Sequence, residues 1–434
     1  MAAAQTGTPV RKPRRRWRWH VPPALVHGNE SLEGTEMLEE FSGAAGLALW
    51  QSMRDVTLWA GAREPEDRAG LFRPGAYEQR IVQIEQAGLD AAIDAPLRAL
   101  AAISRDPEAA REDDILTACR EIANWAEAQE KLGTAISMAQ AGALAAPTNA
   151  AAGFRVGQLA RHKSEHARAE SWFRRVIGLG RQAKDWASYA EAFLGLGNLY
   201  RKRGNVPAAR RFHIRGLRAA RRHGLRDIQG RALHDLFVIA VDHGTPAEAL
   251  ELARAAFKAY GPTHPKLPVL AHDLAVFWMQ RGRFAQAVAV FQGLLPHMVK
   301  PWERMQTVAD IARAAGGAGN RATFDEAWDE LWSFGGDWHS RPTASTALLD
   351  MASGAASLKD WARAERAATL SRDVATRHAE ALVVMQAESL LDSVSRKRNL
   401  DTGAPPAVGP EEEAVSEDLA ADLLRTLASG PSRK

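Results

Sequence analysis

A short pattern recurs along the chain at intervals of about 40 residues, and it constrains the fold more than any other feature. Each copy begins with turn-forming residues and continues into helix-forming residues, with an alanine at an aligned position. The clear copies are residues 164–179, 204–217, 244–257, 282–295 and 359–372. Their aligned alanines are Ala169, Ala209, Ala249, Ala287 and Ala364, and two weaker copies place Ala128 and Phe324 there. This interval is typical of arrays of helix pairs.

The residues before each copy complete the repeating unit. Segments 190–204, 230–244 and 270–282 carry apolar residues at helical spacing, and each ends at a glycine. Glycine commonly ends a helix because it adopts the left-handed conformation that turns the chain. We therefore expect each unit to contain a helix A, a tight glycine turn, a helix B and a short connection. The small aligned alanine lets the two helices approach closely.

Residues 194–209, LGLGNLYRKRGNVPAA, resemble the tetratricopeptide repeat. The positions that carry the resemblance are Leu196, Gly197, Tyr200, Gly204 and Ala209. The resemblance covers roughly residues 76–398 and implies an all-α, right-handed helix-turn-helix solenoid of about seven helix pairs. The interval exceeds the usual 34 residues, as in the extended repeats of bacterial regulators. Because such repeats serve many functions, the resemblance predicts the fold better than the activity.

The remaining segments differ from the repeats in composition. Residues 1–33 are basic and contain proline and glycine, so we expect a disordered tail. Residues 35–104 predict N-terminal helices and a capping pair, with a single long helix at 35–61 and further helices at 76–87 and 91–104. The repeat array is expected over 105–398. Residues 399–434 predict a Pro/Gly linker and a short acidic helix, whose apolar side carries Val415, Leu419, Leu423 and Leu427.

Basic residues are concentrated in one part of the chain. The formal net charge is +4, yet residues 155–226 contain 18 Lys or Arg and four Asp or Glu. Residues 1–20 add six more Lys or Arg and no acidic residue. Such an asymmetry creates a positive field that steers acidic partners.

The predicted helix at about 206–223 separates its apolar and basic residues. One side carries Ala209, Phe212, His213, Gly216 and Ala220, and the other carries Arg211, Arg215, Arg218 and Arg222. The resemblance implies that helix B lies on the convex surface. The arginine stripe is then either a solvated face or a surface that contacts nucleic acid, sequence-independently and salt-sensitively. The segment RRRWRWH at 14–20 suits nucleic acid or an anionic lipid surface equally.

The resemblance also implies that helix A lines a concave groove. The peptide-binding residues predicted on this basis are Gln158, Arg161, His162, Asn198, Arg201, Lys202, His234 and His272. An Asn with basic neighbours on successive A helices resembles a carboxylate clamp, in which charge-assisted hydrogen bonds hold an acidic peptide terminus. His234 and His272 each begin a His-Asp-Leu triplet. We expect the leucines, Leu236 and Leu274, to pack inward while the His and Asp line the groove.

Catalytic and metal-binding patterns are weak in this sequence. His162 and His166 are separated by a predicted turn, so they do not share a helix face as two zinc ligands do. Adjacent His and Asp on a helix point about 100° apart and do not orient each other. Cys119 follows Ile115 at helical spacing, which predicts a core position and no disulfide. No phosphate-binding glycine motif occurs. We therefore expect neither an enzyme nor a cofactor or metal.

These observations predict a cytoplasmic, non-catalytic interaction scaffold that binds an acidic or extended peptide. The chain contains no run of 18 apolar residues that would predict a transmembrane helix. The alternative is a regulatory protein that contacts nucleic acid through residues 155–226 and the basic N-terminal tail. The acidic C-terminal helix is a further hypothesis: it docks on the basic repeats and competes with a partner.

Overall fold

The computed structural model describes residues 34–62, 64–334, 338–340, 344–397 and 410–429, and every regular element among them is helical. The tail predicted at 1–33, including RRRWRWH, and the linker predicted at 399–409 lie outside the described residues. The chain divides into two compact units, unit 1 up to His223 and unit 2 from Gly224 onward.

Unit 1 contains eleven helices in its described residues. They are α1 (Thr35–Glu40), α2 (Gly43–Gly61), α3 (Pro65–Arg68), α4 (Ala76–Ala87), α5 (Ala91–Ala101), α6 (Glu112–Ala128), α7 (Leu132–Ala145), α8 (Ala150–His162), α9 (His166–Ala183), α10 (Trp186–Lys202) and α11 (Val206–Arg222). The helices α4 and α5 lie where the sequence predicts them, and a short 3₁₀ turn at 102–104 extends α5.

Unit 2 contains ten α-helices in its described residues. They are α12 (Arg226–His243), α13 (Pro246–Tyr260), α14 (Leu267–Gln280), α15 (Phe284–Leu294), α16 (Pro301–Gly317), α17 (Arg321–Ser333), α18 (Ala344–Ser357), α19 (Trp361–Arg377), α20 (Ala381–Ser395) and α21 (Pro410–Ser429).

Seven consecutive helix pairs form the repeats predicted from the sequence. Helix A and helix B are α6/α7, α8/α9 and α10/α11 in unit 1, and α12/α13, α14/α15, α16/α17 and α18/α19 in unit 2, and each pair packs together. Helix B begins at residues 132, 166, 206, 246, 284, 321 and 361, so consecutive copies are 34 to 40 residues apart. The predicted all-α tetratricopeptide-like fold is confirmed.

Six of the seven hairpins use the same turn. A residue with positive φ stands two positions before helix B, and these residues are Glu130, Ser164, Gly204, Gly282, Gly319 and Lys359. After Gly204, for example, the Asn205 N–H donates to the Tyr200 carbonyl at 2.9 Å, the hydrogen bond of a Schellman motif. The glycine turn predicted at Gly244 is wrong, because Gly244 is extended, with φ −117°. There Thr245 caps α13 instead, and its Oγ1 accepts from the Glu248 N–H at 3.2 Å.

The aligned position of the repeat is the fourth residue of helix B, and it is fully buried. This holds for Ala169, Ala209, Ala249, Ala287, Phe324 and Ala364. The prediction of Ala128 is wrong: Ala128 is the exposed last residue of α6, and the fully buried Ala135 of α7 takes the position. Since Glu130, and no glycine, makes this turn, the sequence does not mark where α6 ends.

Close helix contacts in unit 1 depend on glycines opposite aromatic rings. Phe173 of α9 packs between Gly157 of α8 and Gly195 of α10, and a Cβ at either glycine would come within 2.6 Å of the ring. These small residues therefore let one aromatic ring fill the space between two A helices.

The single helix predicted at 35–61 is wrong, because the chain breaks between α1 and α2. Phe41 is extended, with φ −128° and ψ 108°, and its ring stacks on Trp125 with centroids 5.1 Å apart. The break brings Glu40 to the start of α7, where its carboxylate accepts hydrogen bonds from the Gly133 and Thr134 N–H groups at 2.8 and 2.7 Å. A carboxylate at this position stabilises the helix N-terminus.

The helix predicted near the C-terminus is α21, and it packs on α13 and α15. Leu419, Leu423 and Leu427 are buried, and Val415 is half-buried. The hypothesis placed this helix on the basic repeats at 155–226, but the contact seen is mainly apolar and lies within unit 2. The Gln286 amide also donates to the Ser416 carbonyl at 2.9 Å.

Candidate functional site

The eight predicted peptide-binding residues lie in different units. Six belong to unit 1: Gln158, Arg161 and His162 on α8, and Asn198, Arg201 and Lys202 on α10. The other two belong to unit 2, with His234 on α12 and His272 on α14. The two sets therefore form separate candidate sites.

In unit 1, the basic residues gather at the C-terminal ends of α8 and α10. The Lys202 ammonium donates to Ser164 Oγ at 2.9 Å and to the Arg161 carbonyl at 3.5 Å, so it ties down the α8–α9 turn. Arg201 and His162 are exposed. Burial and the neighbouring Arg161 hold the pKa of His162 below its ordinary value, which keeps this ring neutral at pH 7. A carboxylate clamp at this edge remains a prediction.

In unit 2, each histidine of the His-Asp-Leu triplets contacts an aspartate of the next repeat. His234 Nε2 lies 2.8 Å from Asp273 Oδ2, and His272 Nε2 lies 2.9 Å from Asp310 Oδ2. The expectation that His234 lines an open groove is wrong: it is buried, and its Nδ1 lies 3.3 Å from the Tyr260 hydroxyl.

The two triplet leucines pack inward as predicted. Leu236 and Leu274 are both buried in unit 2. The sequence argument that adjacent His and Asp do not orient each other also agrees with the geometry, since His272 Nδ1 is 3.7 Å from Asp273 Oδ1. That argument missed the pairs that form one repeat apart.

The polar contacts continue through α16 to α18. The Gln306 amide donates to Asp350 Oδ2 at 2.9 Å and to Asp310 Oδ1 at 3.4 Å, and the Arg313 guanidinium donates to Asp350 Oδ1 at 2.7 Å. Together these side chains join four successive A helices of unit 2, and we name them the A-helix ladder. Its members are His234, His272, Asp273, Gln306, Asp310, Arg313 and Asp350.

The charges of the A-helix ladder are set by burial and by neighbouring ladder members. Burial lowers the pKa of His272, but Asp273 and Asp310 outweigh it and raise the pKa to about 10. Burial raises the pKa of Asp273, whereas hydrogen bonds from His234 and His272 outweigh it and lower the pKa to about 2. Burial and the nearby Asp310 raise the pKa of Asp350 to about 6. His272 is therefore a cation at pH 7.

A cleft of about 1400 Å³ opens beside the ladder, between the N-terminal parts of α14 and α16. Its walls include the loops 262–266 and 298–300 and the end of α21, and His272 and Gln306 also line it. Three lining side chains are large, apolar and exposed: Val269 by 45%, Val299 by 62% and Trp302 by 50%. We name this the unit 2 cleft.

The arginine stripe lies on the side of α11 that the helical wheel predicts. Arg211, Arg215, Arg218 and Arg222 are exposed, while Ala209, His213, Gly216 and Ala220 are buried and Phe212 is half-buried. The stripe therefore faces solvent along the whole of α11.

Catalytic and metal chemistry finds little support in the described residues. Among them, no group of three or more His, Cys, Asp or Glu is arranged to hold a metal ion. Cys119 is fully buried, as predicted, and burial raises the pKa of its thiol to about 12. None of the described helices combines the length and apolar character needed to cross a membrane.

Comparisons with known proteins return other repeat proteins. No family model matches the chain, and no curated protein matches its sequence. The solved structures found include the TPR2AB domain of yeast Sti1 in complex with pHSP90, at 14% identity and a TM-score of 0.26, which covers 65% of this chain and 99% of that one. A Rap protein complexed with Competence and Sporulation Factor has 10% identity and a TM-score of 0.34, and covers 81% and 99%.

A third solved structure is a circular tandem repeat protein with a novel repeat topology. It has 14% identity and a TM-score of 0.17, and covers 89% of this chain and 97% of that one. Because these whole-chain superpositions are poor, the repeat assignment rests on the hairpin geometry described above.

Proposed function

We propose that this chain is a non-catalytic scaffold whose unit 2 cleft binds an extended peptide that carries a carboxylate. The observation that supports it best is the cleft itself, where exposed apolar side chains stand beside the cationic His272. Exposed apolar groups concentrated in one concave place are typical of a binding surface.

The size of the cleft favours a peptide over a small metabolite. Its volume of about 1400 Å³ exceeds the range of about 300–1000 Å³ that is usual for small-molecule sites. The lining is also open and mixed, with Trp302 and Val299 available to receive apolar side chains of a partner. An aromatic residue in a groove is a common anchor of peptide affinity.

The charge of the lining favours an acidic group in the partner. Lys266, Lys300 and His272 line the cleft, and Glu303 is its one acidic lining residue among those described. Part of this positive charge is already paired, since His272 contacts Asp310 and Lys300 lies 3.6 Å from Glu303. We therefore assign the carboxylate a role in orientation, and the apolar residues the larger share of the affinity.

Selection of random peptides displayed on phage against the full-length protein tests this proposal. The enriched peptides should combine an apolar residue with an acidic residue or a free C-terminal carboxylate. Replacing Trp302 with Ala and Val299 with Ser should weaken their binding at least about tenfold, as expected for an aromatic anchor. The matched control is Leu382→Ala with Met385→Ala, because these side chains on α20 are just as exposed but do not line the cleft.

Two outcomes would contradict the proposal. One is that the cleft variant binds the selected peptides as tightly as the control does. The other is that binding depends on Asn198 and Lys202, tested by Asn198→Ala with Lys202→Ala, which would assign the peptide to the basic edge of unit 1.

A further inference from the structure

A second cleft, of about 900 Å³, lies in unit 1 on the side of the B helices. The helices α9 and α11 both pack on α10 and form its two walls, while α10 forms its floor. We name it the unit 1 cleft. It shares no residue with the unit 2 cleft or with the predicted peptide-binding residues of α8 and α10.

The floor of the unit 1 cleft is aromatic. Trp186 stacks on His223 with ring centroids 4.3 Å apart and an interplanar angle of 7°. Tyr189 meets Trp186 edge-on at 5.8 Å, and Phe193 lies 6.3 Å from Phe212 on the facing helix. These rings offer flat π surfaces at a cleft that is open to solvent, and such surfaces stack with the bases of nucleotides.

The walls of the unit 1 cleft are basic. Arg174 and Arg181 come from α9, and Arg215, Arg218 and Arg222 come from α11; none of the described lining residues is acidic. Glu170 pairs with Arg174 at 2.7 Å, outside the lining. Among the residues that the structure describes, no carboxylate pairs with Arg218 or Arg222. The positive charge on the α11 wall is therefore available to a ligand.

We propose that the unit 1 cleft binds a phosphorylated nucleoside, with its base on the aromatic floor and its phosphate on the α11 arginines. The row from Arg215 to Arg222 extends about 10 Å along the helix, at a rise of 1.5 Å per residue, which is enough for more than one phosphate. Guanidinium groups bind phosphate through paired, charge-assisted hydrogen bonds. An acidic peptide would satisfy the arginines but would leave the aromatic floor without a stacking partner.

The nucleoside has two sources, a free nucleotide or an unpaired nucleic-acid strand. In a duplex the bases stack on one another and are not available to the floor, so double-stranded nucleic acid would contact the arginines alone. The probes are therefore a fluorescent AMP analogue, a labelled single-stranded oligonucleotide of about 12 nucleotides and the same oligonucleotide annealed to its complement.

Fluorescence anisotropy with the full-length protein at several salt concentrations tests the proposal. Single-strand binding should exceed duplex binding, and Trp186→Ala should weaken it at least about fivefold, as expected for one lost base stack. Replacing Arg215, Arg218 and Arg222 with Gln should flatten the slope of log affinity against log salt by about 2, since each phosphate contact contributes about 0.7. These arginines are exposed, so this variant remains informative even where Trp186→Ala fails to fold.

The matched control replaces Arg73, Arg111 and Arg120 with Gln. These three exposed arginines of unit 1 carry the same total charge and lie outside the cleft. Binding of the AMP analogue that falls in the cleft variants assigns the site to free nucleotides, and strand binding that falls in them assigns it to an unpaired strand. Equal losses in the cleft and control variants, equal affinity for strand and duplex, or no binding of any probe would overturn the proposal.

Discussion

Replacing His272 with Leu should destabilise unit 2, because it removes the cation that two buried carboxylates share. His272 is 29% exposed at its side chain and Asp310 only 5%. A pKa raised from 6.5 to about 10 corresponds to at most about 5 kcal/mol between the two protonation states. Partial exposure of the ring reduces this contribution, so we expect a loss of about 2 to 3 kcal/mol at pH 7.

The pH dependence follows from the direction of the shift. Because the pKa of His272 is higher in the folded chain, its stabilising contribution is complete below pH 6.5 and is lost as the pH rises through about 10. The wild-type midpoint of urea unfolding, followed by circular dichroism, should therefore fall between pH 7 and pH 10 by more than that of His272→Leu. Midpoints at matched pH are the appropriate comparison, since repeat arrays often unfold in several steps.

A double variant separates the ion pair from the packing. His272→Leu with Asp310→Leu removes both partners, so that no buried carboxylate loses its cation, and much of the lost stability should return. The reasoning is refuted if the single variant matches wild type at pH 7, or if the two midpoints fall in parallel up to pH 10.

Three further predictions concern packing and accessibility. Gly354→Ala should destabilise unit 2 by about 2 kcal/mol or more in urea unfolding, because its Cβ would lie 2.4 Å from the Ala312 carbonyl, whereas Gly61→Ala, with open space around it, should be neutral or stabilising. Leu423→Asp should undock α21, measured as faster proteolysis within that helix, because Leu423 is fully buried. Cys119 should stay unreactive toward thiol reagents at pH 8 until denaturant is added, since burial raises its pKa to about 12.

The sequence predicted the repeat well where glycine marks the turn and less well elsewhere. Gly204 and Gly282 identify their hairpins, but Glu130, Ser164 and Lys359 adopt the same left-handed conformation without a glycine. That conformation costs a non-glycine residue about 1–2 kcal/mol, which the hydrogen bonds of the turn offset. Where it occurs is decided by the contacts of the two helices, so it is not visible in local composition.

The histidine–aspartate contacts were within reach of the sequence, but at a different separation. His234 and Asp273 are one repeat apart, as are His272 and Asp310, whereas the residues compared first were neighbours in a triplet. In a repeat array, residues one period apart occupy adjacent helices and meet side by side. The unit 2 cleft is different, because its walls combine two loops with the end of α21, about 130 residues away.

The A-helix ladder also limits how unit 2 is able to evolve. Repeat proteins commonly grow or shrink by copying or deleting whole hairpins, since neighbouring units are nearly interchangeable. Here each A helix supplies a side chain that answers a particular partner on the next one, and Asp310 is almost fully buried. Deleting the α14/α15 hairpin would remove both His272 and Asp273, which leaves His234 and Asp310 without their partners. The order of these hairpins is therefore fixed by chemistry, although their shape would permit exchange.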